Sequence, residues 1–202
     1  MMKGPSIALM GMMIVVLVGC DQSGPERAEA EVAAIEVEAS MDESAECGAI
    51  AYLMKAFPGA DTLEGMAESY RGCDSLISAQ LHYGDDEGQV MYSLSVLSPD
   101  QEGMAADNGS WARLARANAE AVEQVIATRR QGNNTLSAEA LLPDGASGVV
   151  YQDGDEWSLV ARLNERHALR IDASKPGWRD YNAGQAQALM ASLVTQMDLS
   201  GL

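Results

Sequence analysis

The chain has 202 residues, of which 47% are hydrophobic, and a formal net charge of −17. The hydrophobic share suits a folded protein, and the length suits one domain with flanking segments. Only 13 Lys and Arg stand against 30 Asp and Glu. That balance excludes duplex and single-stranded nucleic acid as partners, because neutralising phosphates needs clustered cations.

Lys3 and the amino terminus give a modest positive start, and Ile7 to Val18 is then apolar apart from Gly11 and uncharged. These twelve residues fit the core of a secretory signal, whereas a membrane-spanning helix needs about twenty. An uncleaved anchor followed by a chance cysteine is the alternative. The ending Leu17–Val18–Gly19–Cys20 resembles the lipobox of bacterial lipoproteins. The resemblance implies cleavage before Cys20 and diacylglycerol on its thiol, usually with a third acyl chain on the new amine. One acyl chain anchors only marginally, at about 0.8 kcal/mol per buried methylene, whereas two or three hold firmly. The implied partner is therefore the membrane itself, through covalent lipid at Cys20, in a bacterial envelope facing the periplasm. In enteric bacteria an aspartate after the lipidated cysteine resembles an inner-membrane retention signal. Asp21 thus favours the inner membrane, with the outer membrane as the alternative.

Residues 20–46 read as a tether. Asp21 to Glu46 carries nine acids against Arg27 alone, and Gly24–Pro25 breaks regular structure near the lipid. The apolar stripe Val32, Ile35 and Ala39 is too thin to offset the entropy of ordering, so the expectation is a flexible or fraying spacer. Fully extended, it would reach on the order of 90 Å. An acidic arm that docks a basic partner is the functional alternative.

Residues 47–202 read as one globular domain. Beyond Cys20 the chain has two cysteines, Cys47 and Cys73. An exported chain with an even pair predicts a disulfide, with two free thiols as the alternative. Cys47, Ile50, Met54 and Phe57 lie three or four apart, which predicts a first helix over 43–57, stopped by Pro58–Gly59. Asp61 and Glu64 have capping-box spacing and precede Leu63, Met66 and Tyr70, which predicts a second helix ending at Gly72. The cysteines would then staple two helices, or the first helix to the start of the sheet.

The period next becomes two. Ile77, Ala79, Leu81 and Tyr83 alternate with Ser78, Gln80 and His82, and Val90, Tyr92, Leu94 and Val96 with Met91, Ser93 and Ser95 beyond the turn Gly84–Gly88, which predicts a β-hairpin with one apolar and one largely polar face. After Pro99 and a Gly/Asp/Asn-rich loop, Ser110 is a reasonable N-cap. Trp111, Leu114, Ala115, Asn118, Val122 and Val125 form one stripe of a long helix that ends at Arg129–Arg130 and Gly132. Strands follow over 136–142, 149–152, 156–163 and 167–172, with Asp153–Gly154 as a turn, and a last helix over 181–197. The expected fold is α+β: an antiparallel sheet of about five to six strands with helices mainly on one face. The order of elements also resembles PsbP-like α/β/α sandwiches, which supply the alternative.

No catalytic motif is present. There is no G-x-S-x-G elbow, H-E-x-x-H, phosphate-binding loop or dinucleotide fingerprint. The two histidines, His82 and His167, leave a dispersed Ser–His–Asp set open as an alternative. The carboxylates Asp85–Asp86–Glu87 and Asp153, Asp155, Glu156 read as solvated turns rather than cation ligands, and neither a metal nor a cofactor is expected. Strand parity places Ser78, Gln80, His82, Ser93, Ser95, Ser158, Arg162 and Arg170 on the face opposite the core. That face is the candidate site for a polar ligand or an envelope protein partner, its arginines favouring carboxylate or phosphate. An ordinary solvated sheet face is the plain alternative. Trp111 and Trp157 fall on apolar faces, while Trp178 in the 175–180 loop is expected to be exposed. The functional expectation is a membrane-anchored, non-enzymatic accessory or binding module. A small envelope hydrolase with a concealed site and a small-molecule carrier are the alternatives.

Overall fold

A computed structural model describes residues 47–98, 109–132 and 134–202. The signal-like segment with Cys20, the acidic tether and most of the loop before the long helix lie outside the described residues. The elements are a 3-10 helix Gly48–Ala56, β1 Thr62–Leu63, β2 Met66–Cys73, β3 Ser78–Gly84, β4 Gln89–Val96, α1 Gly109–Arg130 and β5 Thr135–Ser137. A 3-10 turn Glu139–Leu141, β6 Ser147–Asp153, β7 Glu156–Arg162, β8 His167–Ser174, α2 Ala183–Thr195 and a 3-10 turn Leu199–Gly201 complete the chain.

The fold is α+β, and its sheet has eight strands rather than the expected five to six. Their order is β1-β2-β3-β4-β8-β7-β6-β5, with every neighbouring pair antiparallel. The two additional strands come from the segment expected to be the second helix. Leu63 pairs with Met66 across Glu64 (φ 51°) and Gly65 (φ 85°), so β1 and β2 form a hairpin. Two successive positive φ angles are the signature of a type I′ turn, which matches the twist of the flanking strands. Glu64 thus begins that turn instead of closing a capping box. The first expected helix is a shorter 3-10 helix, and the segment expected as a strand over 136–142 divides into β5 and a 3-10 turn.

One face of the sheet carries the principal core. Ala79, Leu81, Tyr83, Val90, Tyr92, Leu94, Leu159, Leu169 and Ile171 are essentially inaccessible, as alternation requires of a half-buried sheet. Ile50 and Leu53 of the 3-10 helix, with Leu189, Met190 and Leu193 of α2, cover this face. The start of α2 is held by reciprocal capping, Asn182 accepting from the Gln185 backbone N–H and Gln185 from that of Asn182. Trp178, expected to be exposed, is buried in this core, and its carbonyl accepts the Trp157 indole N–H at 2.9 Å. A 2.03 Å disulfide joins Cys47, just before the 3-10 helix, to Cys73 at the end of β2. It therefore staples helix to sheet, the second of the two arrangements left open by the spacing.

The long helix α1 lies on the opposite face. Ile126 is buried against Val149, Tyr151 and Val160, with Val122 and Val125 packed beside it. Helices consequently flank both faces of the sheet rather than mainly one. The reason lies in β6 and β7, which put apolar side chains outward at both parities: Val149, Tyr151 and Val160 need cover as much as Val150 and Leu159 do. Leu114, expected on the packed stripe of α1, is 44% exposed.

Candidate functional site

The register of β3, β4, β8 and β7 places all eight candidate residues on the face that α1 crosses. Ser78 pairs with Ser95, Gln80 with Ser93, Ser93 with Arg170 and Ser158 with Asp172. The helix covers one side of this face and leaves the rest open. Between the two lies a groove of about 240 Å³, whose floor includes Ser78, Gln80, Ser93, Ser95 and Arg170. Its opposite wall is Asn118, Ala121, Val122 and Val125 of α1, and Asp74 stands at its rim.

Five of the eight residues are thus gathered in one groove, and three are not. Arg162 is drawn off by Glu123 of α1 at 2.9 Å and donates to the Asn164 carbonyl at 3.1 Å. Ser158 is 1% exposed and donates to Asp172 Oδ1 at 2.7 Å, so it belongs to the packing rather than to an accessible surface. His82 lies farther out on β3. Its Nε2 is 2.9 Å from Gln80 Oε1, and its ring lies 5.1 Å from that of Tyr70.

Arg170 is the most constrained of the five. Its Nε donates to Asp172 Oδ2 at 2.6 Å, and Asp172 is 3% exposed. A buried carboxylate needs such partners, and here Ser158 and Arg170 satisfy one oxygen each. The hydrogen bond from Arg170 to Asp172 pushes the guanidinium pKa above its already high ordinary value, so Arg170 carries its charge at any working pH. Glu156 stands beside them on β7. Burial, and secondarily the Asp172 charge, pushes its carboxyl above the usual range.

The wall has its own polar anchor. Asn118 Nδ2 donates to Ser95 Oγ at 2.9 Å and to the Val96 carbonyl at 3.3 Å, tying α1 to β4 across the end of the groove. The alternation of β8 puts Asp172 on the same face as Arg170, and Asn118 is the polar member of an otherwise apolar stripe. Both signals were in the sequence, but neither identifies its partner.

The other candidate chemistry is accounted for locally. The Asp85 side chain accepts the backbone N–H groups of Glu87 and Gly88, which also lowers its pKa, so it organises its own turn. Asp153 pairs with Arg129, and Asp155 with Arg179. His167 Nε2 meets the Tyr52 hydroxyl at 2.7 Å on the core side of the sheet. A glutamine amide and a tyrosine hydroxyl orient these imidazoles but are not the activated serine of a hydrolytic triad. Among the described residues no group of three or more His, Cys, Asp or Glu is placed to hold a metal ion. No helix among them is long and apolar enough to cross a membrane.

What the groove can do is bind. It joins a hydroxyl- and amide-lined floor to an apolar wall, with one fixed cation on the floor. Set against protein-family models, curated proteins and solved structures, the chain matches none.

Proposed function

We propose that this chain is a lipid-anchored binding module of the bacterial envelope, held by acyl chains on Cys20 and working through the groove between α1 and the sheet. The groove is the observation that carries the binding half of the reading. Five of the polar side chains marked out by strand parity converge there, opposite a helix wall that supplies apolar contact. Small-molecule sites combine apolar lining with a few convergent polar groups in this way, although most are larger, at about 300–1,000 Å³. Anchoring rests on the resemblance of Leu17–Val18–Gly19–Cys20 to a lipobox, and the acidic segment beyond it would hold the domain off an anionic surface. The module is read as non-enzymatic: among the described residues His82 meets the Gln80 amide and His167 the Tyr52 hydroxyl, neither of them a serine nucleophile. The fold reading that accompanies it is the PsbP-like α/β/α sandwich, supported by α1 on one face of the sheet and α2 on the other.

Two variants of the full chain separate the halves of the proposal. Cys20→Ala should move the protein from the membrane to the aqueous fraction, and unchanged partitioning would end the anchoring argument. Ala121→Trp, at an exposed helix position on the groove wall, should fill the groove without entering the core. A photo-crosslinker at Ser78 should then lose its envelope adducts in that variant, and retention of the same adducts would end the groove reading.

A further inference from the structure

Gln80, Ser93 and Arg170 form one cross-strand row: Gln80 on β3 faces Ser93 on β4, and Ser93 faces Arg170 on β8. Adjacent strands lie about 4.8 Å apart, so the row spans about 10 Å of groove floor. Its hydrogen-bonding capacity leans toward donors. Gln80 Oε1 can only accept, so His82 Nε2–H is the donor in their 2.9 Å contact, and the two Gln80 amide hydrogens remain. Ser95 Oγ accepts from Asn118, which leaves its own O–H to donate. Arg170 is held through Nε by Asp172, and among the described residues its two terminal nitrogens meet no acceptor. Donors thus remain along the row, beside the Ser93 hydroxyl, which can donate or accept.

A donor-rich floor calls for an acceptor-rich ligand, and the charge sets how much negative charge it carries. Arg170 is already balanced by Asp172, and Asp74 adds a carboxylate at the rim. Arg162 is committed to Glu123. A phosphate dianion would meet one compensated cation and a nearby acid, whereas a single carboxylate suits the two parallel N–H groups of a guanidinium edge. Opposite the row stand Val122 and Val125 of α1, and Val160 on β7 continues the row beyond Arg170, so the apolar lining suits a short aliphatic body. Resting on the groove reading above and going beyond it, we infer that the groove binds a small aliphatic monocarboxylate. The carboxylate sits on the Arg170 terminal nitrogens and the Ser93 hydroxyl, Gln80 donates to its outer oxygen, and the hydrocarbon lies against α1.

The test is a titration of the isotope-labelled full chain, in detergent, with hexanoate, hexanamide and hexylphosphonate, followed by NMR. Hexanoate should shift the Gln80, Ser93 and Arg170 amides in a saturable way. Hexanamide and hexylphosphonate should each bind at least tenfold more weakly. Arg170→Gln should abolish hexanoate binding, and Ser93→Val should weaken it several-fold. The second variant keeps Asp172 paired with Arg170, so it remains informative if Arg170→Gln unfolds the protein. Arg162→Gln should leave the affinity unchanged. Equal binding of hexanoate and hexanamide would overturn the carboxylate assignment while leaving a binding groove, and tighter phosphonate binding would overturn it in favour of phosphate. No groove shift with any of the three probes would also overturn it. The groove reading itself falls only on the Ala121→Trp crosslinking result.

Discussion

Ile126→Ala tests how α1 is held over the groove. Ile126 is 3% exposed and contacts a cluster whose other buried members are Val149, Tyr151 and Val160. The substitution deletes three buried carbons, worth about 2.4 kcal/mol at about 0.8 kcal/mol each. The vacated space adds up to about 2 kcal/mol at roughly 24 cal/mol per Å³, less whatever the helix recovers by settling inward. Alanine's better helix propensity returns about 0.4 kcal/mol. The expected loss is therefore about 2–4 kcal/mol, read from urea unfolding at unchanged m-value. Hydrogen exchange should localise the effect, with the amides of α1 exchanging faster relative to those of β8. Because Asn118 and Val122 ride on the same helix, hexanoate affinity should fall as well. A loss below about 1 kcal/mol, or equal acceleration in α1 and β8, would refute the claim that this small second core fixes the groove wall.

The disulfide encloses a separation of 26 residues, so replacing Cys47 and Cys73 together by alanine should cost about 3.5 kcal/mol on the chain-entropy model, visible as a lower urea midpoint. An unchanged midpoint would mean that the unfolded chain is not constrained by this loop. Gly65 has φ 85° and open space where a Cβ would stand, so Gly65→Ala should cost about 1–2 kcal/mol through backbone conformation alone. A neutral result would argue against the type I′ turn. Two groups give stability opposite pH dependences. Burial, with Arg166 nearby, holds the pKa of His167 below its ordinary value. The unfolded chain therefore takes up that proton first as pH falls below about 6.5, and the stability His167 contributes above that pH is lost as pH drops through its folded value. Glu156 behaves inversely. Its raised pKa favours the folded state below the unfolded value of about 4.3, and that contribution is lost as pH rises through the folded value. Thermal melts of His167→Gln and Glu156→Gln between pH 4 and 8 should each flatten one of these slopes. A profile identical to wild type would contradict the shift concerned.

The extent to which the sequence foretold these results differs by element, for physical reasons. The β3–β4 hairpin and the alternation in β7 and β8 were legible because a period of two is a local property of the strand. Parity needs no knowledge of partners, so the eight polar positions were correctly placed on one face. The segment 61–72 was misread because Asp61 and Glu64 satisfy a helix-start pattern, while Glu64–Gly65 equally satisfies a turn. What decides between them is whether Ala67 to Cys73 find a neighbouring strand, and β3 supplies one. Trp178 was misread because a loop position in a chain gives no sign that a core will close over it.

The amino-acid sequence alone determined the strongly acidic composition and which side of β3 and β4 is largely polar, and it left Cys47 and Cys73 as the two cysteines available for one disulfide. Only the tertiary structure decided that α1 crosses the polar side, that Arg162 is captured by a glutamate 39 residues away, and that Arg170, pinned by Asp172, lines a groove. Composition and alternation are properties of neighbouring residues and survive without a fold. A groove and a fixed guanidinium depend on contacts between distant segments, which exist only once strand register and helix placement have been chosen together.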